Sequence, residues 1–270
     1  MTLILQNDLP DAQRGPSRLP GIAPCAPDDW LRVDEAYAAQ MGYRAALLAE
    51  RREDVIWCDP AAMSAAQEVL KEALMLLPGL GFRVDGSAVH RPDGQRIKVD
   101  FDAPLNTLGQ LVQEDICILE KRGDQHVLTG AVVCFPANWR LADKVGRPLT
   151  DIHVPVEDYD TDIARRVQRL FDGVQAGRPL WRFNKLQYRN PDLHQPRRIT
   201  DVDDGTFVRS ERQCIVRMPQ SQAVVFSIHT WVVRGAEPPP LFRTGEGFSV
   251  GPTPDGAVHL TSFALCVRPY

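Results

Sequence analysis

Apolar and polar residues alternate along several stretches of the second half of the chain, and this period of two predicts β-strands. We predict strands over 180–188, 207–217 and 223–234, and a hairpin whose second strand runs through 126–135. A period near 3.6 predicts helices elsewhere. The expected helices begin at Trp30, cover Pro60–Leu77 behind the capping residue Asp59, open the segment 105–119, and cover Val156–Val174.

The order of these elements predicts an α+β fold. A PAS-like fold has a five-stranded antiparallel sheet with helices on one face. Its chain order is two strands, short helical pieces, a long helix and three further strands, and we predict the same order here after an N-terminal helical extension. Folds of this kind bind ligands between the helices and the inner face of the sheet. We divide the chain into an extended arm (1–29), a helical prelude with a hairpin (30–104), the PAS-like core (105–235) and a tail (236–270) that packs on the core and holds a strand over 258–267.

Composition narrows the classes of function. The net charge of −4 gives no basic surface for nucleic acid. No run of 18 apolar residues and no leader-like N-terminus is present, so a cytoplasmic protein is expected. The six cysteines lack the spacing of zinc or iron–sulfur sites, and several lie in apolar runs, which favours buried, reduced thiols.

Two histidines are candidates for chemistry. His153 stands between β-branched residues just before the long helix, a setting compatible with an axial ligand of a haem iron. It could equally be a core or capping histidine. His229 lies in an alternating apolar run, where it either enters a pocket, as a hydrogen-bond donor or second axial ligand, or packs as an ordinary strand residue.

Charged residues of two strands form a second candidate group. Arg209, Glu211 and Gln213 alternate along one strand and therefore share a face. This face is either a pocket wall or a solvent-facing row. Arg182 and Asn184 likewise project to one side of the preceding strand, where Arg182 is either a pocket residue or part of a surface ion pair.

Several blocks in a fixed order, spread over roughly residues 25–240, carry a resemblance to a known family. The blocks are Leu111-Val112-Gln113-Glu114-Asp115, Phe135-Pro136-Ala137-Asn138-Trp139, Lys144 to Val156, and Arg209-Ser210-Glu211-Arg212-Gln213 with Met218-Pro219. In these blocks the chain resembles the haem-dependent oxidative N-demethylase family. The resemblance implies a PAS-like fold with haem b and an oxygen-dependent removal of a methyl group from a small secondary amine such as dimethylamine, with formaldehyde as product. It also implies electrons from NADPH through a separate reductase subunit with FMN and a 2Fe–2S cluster.

The resemblance also implies roles for single residues. His153 is expected to bind the iron, and Trp139 and Asn184 to contact the cofactor. The expected catalytic group comprises Arg182, Arg209, Glu211 and His229, with Glu211 holding the ammonium group of the substrate and Arg209 polarising oxygen or a haem propionate.

Two departures from the family pattern bear on the substrate. Lys185 follows Arg182-Phe183-Asn184 where the family usually has tryptophan, and His229 stands where it tends to have arginine. Because both strands are expected to face the pocket, the departures favour a different nitrogen compound as a second candidate for the substrate. The sequence is also compatible with a haem-based gas or redox sensor and with a binding module that holds no haem.

Overall fold

The computed structural model of the protein describes residues 3–15, 21–152, 161–197 and 206–235. Four expectations therefore lie outside the described residues, namely the position of His153, the start of the long helix at Val156, the packing of the tail (236–270) on the core, and the strand over 258–267. Within the described residues, no helix combines the length and the apolar character that crossing a membrane requires.

Seven α-helices are found in these ranges. The predicted second helix is confirmed: Asp59 accepts a hydrogen bond from the backbone nitrogen of Ala61, and a 3₁₀ turn over Pro60–Ala62 leads into the α-helix. The first long helix begins at Tyr37 rather than at the expected Trp30, which is buried ahead of it. The helices are α1 (Asp11–Arg14), α2 (Tyr37–Glu50), α3 (Arg52–Val55), α4 (Met63–Leu76), α5 (Pro104–Leu111), α6 (Leu149–Ile152) and α7 (Thr161–Gly173).

The main sheet is antiparallel, and it has seven strands rather than the expected five. Its order is β1-β8-β9-β10-β6-β7-β2. The two additional strands lie at the edges and are two and three residues long, too short for a period of two to be recognised. The strands are β1 (Ala23–Pro24), β2 (Ile56–Cys58), β6 (Asp115–Arg122), β7 (Gln125–Val132), β8 (Leu180–Tyr188), β9 (Phe207–Arg217) and β10 (Val224–Arg234).

A second, three-stranded sheet consists of β3 (Arg83–Asp85), β4 (Ala88–His90) and β5 (Arg96–Lys98). Only two strands were expected here. Gly94, with a φ of +83°, makes the turn between β4 and β5, and Gly86, with a φ of +55°, makes an additional turn that divides the first strand of the expected hairpin into two.

Helices cover both faces of the main sheet, whereas the expectation was one. We call the side towards α6 and α7 the inner face and the side towards α2, α4 and α5 the outer face. Ile215 and Phe226 pack with Phe171 on the inner face. Ile118 and Val225 pack with Val69 and Leu108 on the outer face, so the N-terminal helical extension supplies the second layer.

Candidate functional site

An apolar cluster fills the inner face beneath α6 and α7. Trp139 is buried in it, and the ammonium of Lys144 lies 5.2 Å from the centre of the indole ring. The same ammonium donates a hydrogen bond of 3.0 Å to the carbonyl oxygen of Ile152, which is buried in the cluster as well. The chain is thus anchored to the apolar cluster, close to Trp139, at the residue before His153.

A patch of polar residues continues this face on three neighbouring strands. The strand register places Asn184 opposite Glu211, and Glu211 opposite Thr230. The next row places Arg182 opposite Gln213, which is opposite Ile228 of the apolar cluster. Residues directly opposite each other in an antiparallel sheet share a face. We call Arg182, Asn184, Arg209, Glu211, Gln213 and Thr230 the polar patch.

Hydrogen bonds connect the patch internally. The two oxygens of Glu211 accept from Arg209 Nε at 3.0 Å and from Gln213 Nε2 at 3.3 Å. Arg182 Nη1 donates to Gln213 Oε1 at 3.4 Å. These four side chains are at most 4% exposed, so neither a solvent-facing row nor a surface ion pair describes them.

Burial also acts on the charge of Arg182. Removal from water disfavours its charged form and lowers the pKa of the guanidinium to about 10, while the negative charge of Glu211 acts in the opposite direction. The arginine remains charged at neutral pH, so the patch combines buried positive and negative groups.

Arg209 positions other segments of the site. Its Nη1 and Nη2 donate to the carbonyl oxygens of Leu193 and Phe135, and its Nε donates to Glu211. The guanidinium therefore fixes Glu211 relative to two loops. These three hydrogen bonds are those expected of a residue that orients the Glu211 carboxylate.

Thr230 was not anticipated as a site residue. Its side chain is buried, and its Oγ1 has no hydrogen-bond partner among the described residues. An unsatisfied buried hydroxyl costs free energy, and such groups are rare in folded proteins. Because Thr230 lies directly opposite Glu211, the hydroxyl is available to a ligand of that carboxylate. A single threonine in an apolar strand gives no signal in the sequence.

A cavity of about 840 Å³ lies beside the patch. Pro136 and His194 line it, and these residues directly follow Phe135 and Leu193, whose carbonyl oxygens Arg209 binds. The patch residues themselves do not line the cavity. The buried charges lie on the sheet, so we assign the chemistry to the patch and regard the cavity as neighbouring space of a size typical of ligand sites.

His194 has a defined environment, although its loop position gave it no expected role. Its Nδ1 lies 2.8 Å from the carbonyl oxygen of Cys134, and its Nε2 is buried without a hydrogen-bond partner among the described residues. An imidazole fixed at one nitrogen in this way has the other nitrogen oriented for a further interaction.

His229 and Lys185 lie on the outer face, away from the patch. His229 Nδ1 is 2.8 Å from Glu114 Oε1, and Nε2 is 3.2 Å from Asp34 Oδ2. The ammonium of Lys185 donates to the carbonyl oxygens of Arg14 and Gly15 at the end of α1. The two departures therefore lie on the face of the sheet opposite to the polar patch, because adjacent strand residues point to opposite faces.

Together, the inner face suits an amphipathic cofactor. Haem has an apolar ring and charged propionates, and here an aromatic, apolar cluster adjoins buried arginines, a carboxylate and a hydroxyl without a partner among the described residues. Of the expected site residues, the structure brings together Arg182, Asn184, Arg209 and Glu211. Trp139 lies in the adjoining apolar cluster.

Residues 21–237 match the family described as haem-dependent oxidative N-demethylase, alpha subunit-like. The match covers most of the 270 residues. The chain belongs to this family. Family membership supports a haem-dependent oxidative N-demethylase function at family level, and the description as alpha subunit-like implies a partner subunit.

Proposed function

We propose that the protein is a haem-dependent monooxygenase that removes a methyl group from a small secondary amine of the dimethylamine type and releases formaldehyde. The observation that carries the proposal is the row formed by half-buried Asn184 and the buried residues Glu211 and Thr230 beside the apolar cluster. A carboxylate is the partner that a buried ammonium group requires. Family membership supports the reaction type.

Haem b would be held by His153 at the iron, with Trp139 and Asn184 against the cofactor. The anchoring of Ile152 in the apolar cluster supports His153 as the ligand, because it brings the chain to this face immediately before position 153. When bound, haem would supply oxygen activation and accept electrons, which we propose come from NADPH through a partner subunit with FMN and a 2Fe–2S cluster.

Glu211 would hold the ammonium group of the substrate. An ionised carboxylate has about four lone-pair positions, and two are used by Arg209 and Gln213. The remaining positions can accept from a substrate N–H, and the Thr230 hydroxyl can accept from a second one. Arg209 keeps the carboxylate in place, and Arg182 provides positive charge at the edge of the patch.

Two departures from the family pattern were the main reason to consider a different nitrogen-containing substrate, and neither lies in the polar patch. Lys185 and His229, the departures that favoured it, contact α1 and two carboxylates on the outer face. They therefore leave the polar patch unchanged.

The test is formaldehyde release from dimethylamine by the haem-loaded protein with oxygen and a reductase. We expect turnover by the unaltered protein and a KM raised roughly 10- to 100-fold in Glu211→Gln, since a hydrogen bond to a charged group contributes about 1.5–3 kcal/mol. Glu120→Gln, in the half-buried part of β6, is the matched control and should keep the original KM.

Three outcomes would count against the proposal. Absence of formaldehyde with every small secondary amine would reject the reaction. Spectral changes with oxygen or carbon monoxide without any turnover would indicate a sensor instead. Turnover with an unchanged KM in Glu211→Gln would reject the role of Glu211 alone.

A further inference from the structure

Two cysteines and one arginine meet on the outer face of β9, behind the polar patch. Arg212 Nη1 donates to Cys214 Sγ at 2.8 Å, and Nη2 donates to Cys25 Sγ at 3.2 Å. Asp29 accepts from the same Nη2 at 2.9 Å, and Trp181 packs against the guanidinium at 5.1 Å. One guanidinium thus binds both sulfurs.

The segment that carries Cys25 is held in place next to the sheet. The backbone nitrogen of Cys25 donates to the carbonyl oxygen of Pro179 at 2.8 Å, just beyond the pairing of β1 with β8. Ala23 and Cys214 both lie opposite Trp181, on its two sides. The two thiols therefore approach each other from separate parts of the chain.

The two thiols differ in ionisation. The hydrogen bond from the Cys214 thiol lowers the pKa of Cys25 to about 7, against the effect of burial and with help from the positive charge of Arg212. The same hydrogen bond, together with burial, raises the pKa of Cys214 well above its usual value. A thiolate beside a neutral thiol is the arrangement of a nucleophilic and a resolving cysteine.

The described cysteines differ in their exposure to solvent. Cys117, Cys134 and Cys214 are buried, whereas Cys25 and Cys58 are half-buried. Burial and the charge of Asp59 raise the pKa of Cys58, so that thiol stays protonated at neutral pH. Cys25 alone among the described thiols combines access with an adjacent cationic group.

We propose that Cys25 and Cys214 form an oxidation site for small hydroperoxides such as hydrogen peroxide. With hydrogen peroxide, the Cys25 thiolate attacks one oxygen, the O–O bond breaks, and a sulfenic acid and hydroxide result. The proton that the Cys25 thiol released on ionisation converts the hydroxide to water. The Cys214 sulfur then attacks the Cys25 sulfur, the S–O bond breaks, and a second water leaves as the disulfide forms. In sum, two thiols lose two electrons and two protons to one peroxide.

The disulfide would fasten the segment after β1 to β9. Arg212 and Cys214 alternate with Glu211 and Gln213 along this strand, so the site lies on the reverse side of the polar patch. Oxidation would also remove the thiolate from the environment of Arg212, which would retain Asp29 as its carboxylate partner.

The first test compares alkylation rates in the reduced protein at pH 7. A half-ionised thiol reacts with N-ethylmaleimide about fivefold faster or more than a thiol that is about 1% ionised or less, even after allowance for its lower intrinsic nucleophilicity. We expect this ratio between Cys25 and Cys58, measured by peptide mass spectrometry. Equal rates would overturn the proposal.

The second test treats the reduced protein with one equivalent of hydrogen peroxide, blocks free thiols and maps peptides without reduction. We expect a Cys25–Cys214 cross-linked peptide in the unaltered protein and in the control Cys58→Ser. Cys214→Ser should instead accumulate a sulfenic acid at Cys25 that dimedone traps. No cross-link in the unaltered protein, or Cys25 oxidised no faster than Cys58, would reject the site, and neither measurement depends on a variant that must fold.

Discussion

The two faces of the main sheet each bury charged groups, but they do so differently. On the outer face, Arg44 is completely buried and donates to Asp115 and to the carbonyl oxygens of Gly109, Gln113 and Glu114. On the inner face, the polar patch joins arginines to one carboxylate and leaves the Thr230 hydroxyl without a partner among the described residues.

The difference separates a structural network from a candidate binding site. Every nitrogen of the Arg44 guanidinium donates to a protein oxygen, and four of its five N–H groups are used in this way. The patch retains acceptor positions on Glu211 and, within the described part of the chain, an unpaired hydroxyl on the opposite residue. A buried polar group is tolerated only when it is satisfied, so we expect a ligand to complete the polar patch.

Removal of the charge of Asp115 should have the largest effect on stability. Asp115 accepts from Arg44 at 2.6 Å and from the backbone nitrogens of Cys134 and Phe135 at 2.8 Å. Asp115→Asn leaves a buried, uncompensated guanidinium, and we expect the free energy of unfolding to fall by about 3–5 kcal/mol. Urea denaturation measures this.

The matched control for that variant is Asp143→Asn. Asp143 pairs with Arg140 on the surface, with both side chains more than half exposed. The free energy of unfolding of Asp143→Asn should equal that of the unaltered protein. Equal losses in the two variants would contradict the distinction between satisfied buried charge and surface charge.

His229 should make stability depend on pH. Burial disfavours its charged form, but the carboxylates of Glu114 and Asp34 outweigh burial and raise the pKa to about 9. The folded protein keeps a proton that the unfolded chain releases above about pH 6.5. The stabilisation is therefore present below about pH 6.5 and is lost as the pH rises to about 9, on the order of 2–3 kcal/mol.

The measurement is the difference in unfolding free energy between the unaltered protein and His229→Gln at several pH values. The difference should shrink from pH 6 to pH 9.5. A difference that is constant across this range would show that His229 is not protonated in the folded state.

Two threonines provide the smallest and most direct comparison of the faces. Thr107 is buried with its hydroxyl bonded to the backbone of Asp100, whereas Thr230 is buried without a partner among the described residues. Thr107→Val should lower the free energy of unfolding by roughly 1–2 kcal/mol. Thr230→Val should lower it by less than about 0.5 kcal/mol or raise it. Thermal unfolding of the protein without cofactor tests this, and equal losses would contradict the assignment of Thr230 to the site.

Much of the fold could be predicted from local patterns. The predicted bounds of β8 and β9 are those observed, because nine and eleven residues of alternation leave little ambiguity. Asp59 was recognised as a cap because its type and the following proline are both characteristic. The edge strands β1 and β2 were missed because two or three residues carry no period.

The site could be predicted only in part. Alternation correctly grouped Arg182 with Asn184, and Arg209 with Glu211. The same rule, applied to Lys185, would have placed it on the other face from Asn184. No sequence rule identifies Thr230 or His194. Each has a buried polar atom without a hydrogen-bond partner among the described residues, and only three-dimensional contacts reveal this.

The most direct test of the central claim is the ultraviolet–visible spectrum of the purified, haem-supplemented protein beside His153→Ala and His90→Ala. We expect a Soret band in the unaltered protein and in His90→Ala, whose histidine lies in the small sheet. We expect a weakened or shifted band in His153→Ala that added imidazole restores. A protein that binds no haem, or an unchanged band in His153→Ala, would contradict the central claim.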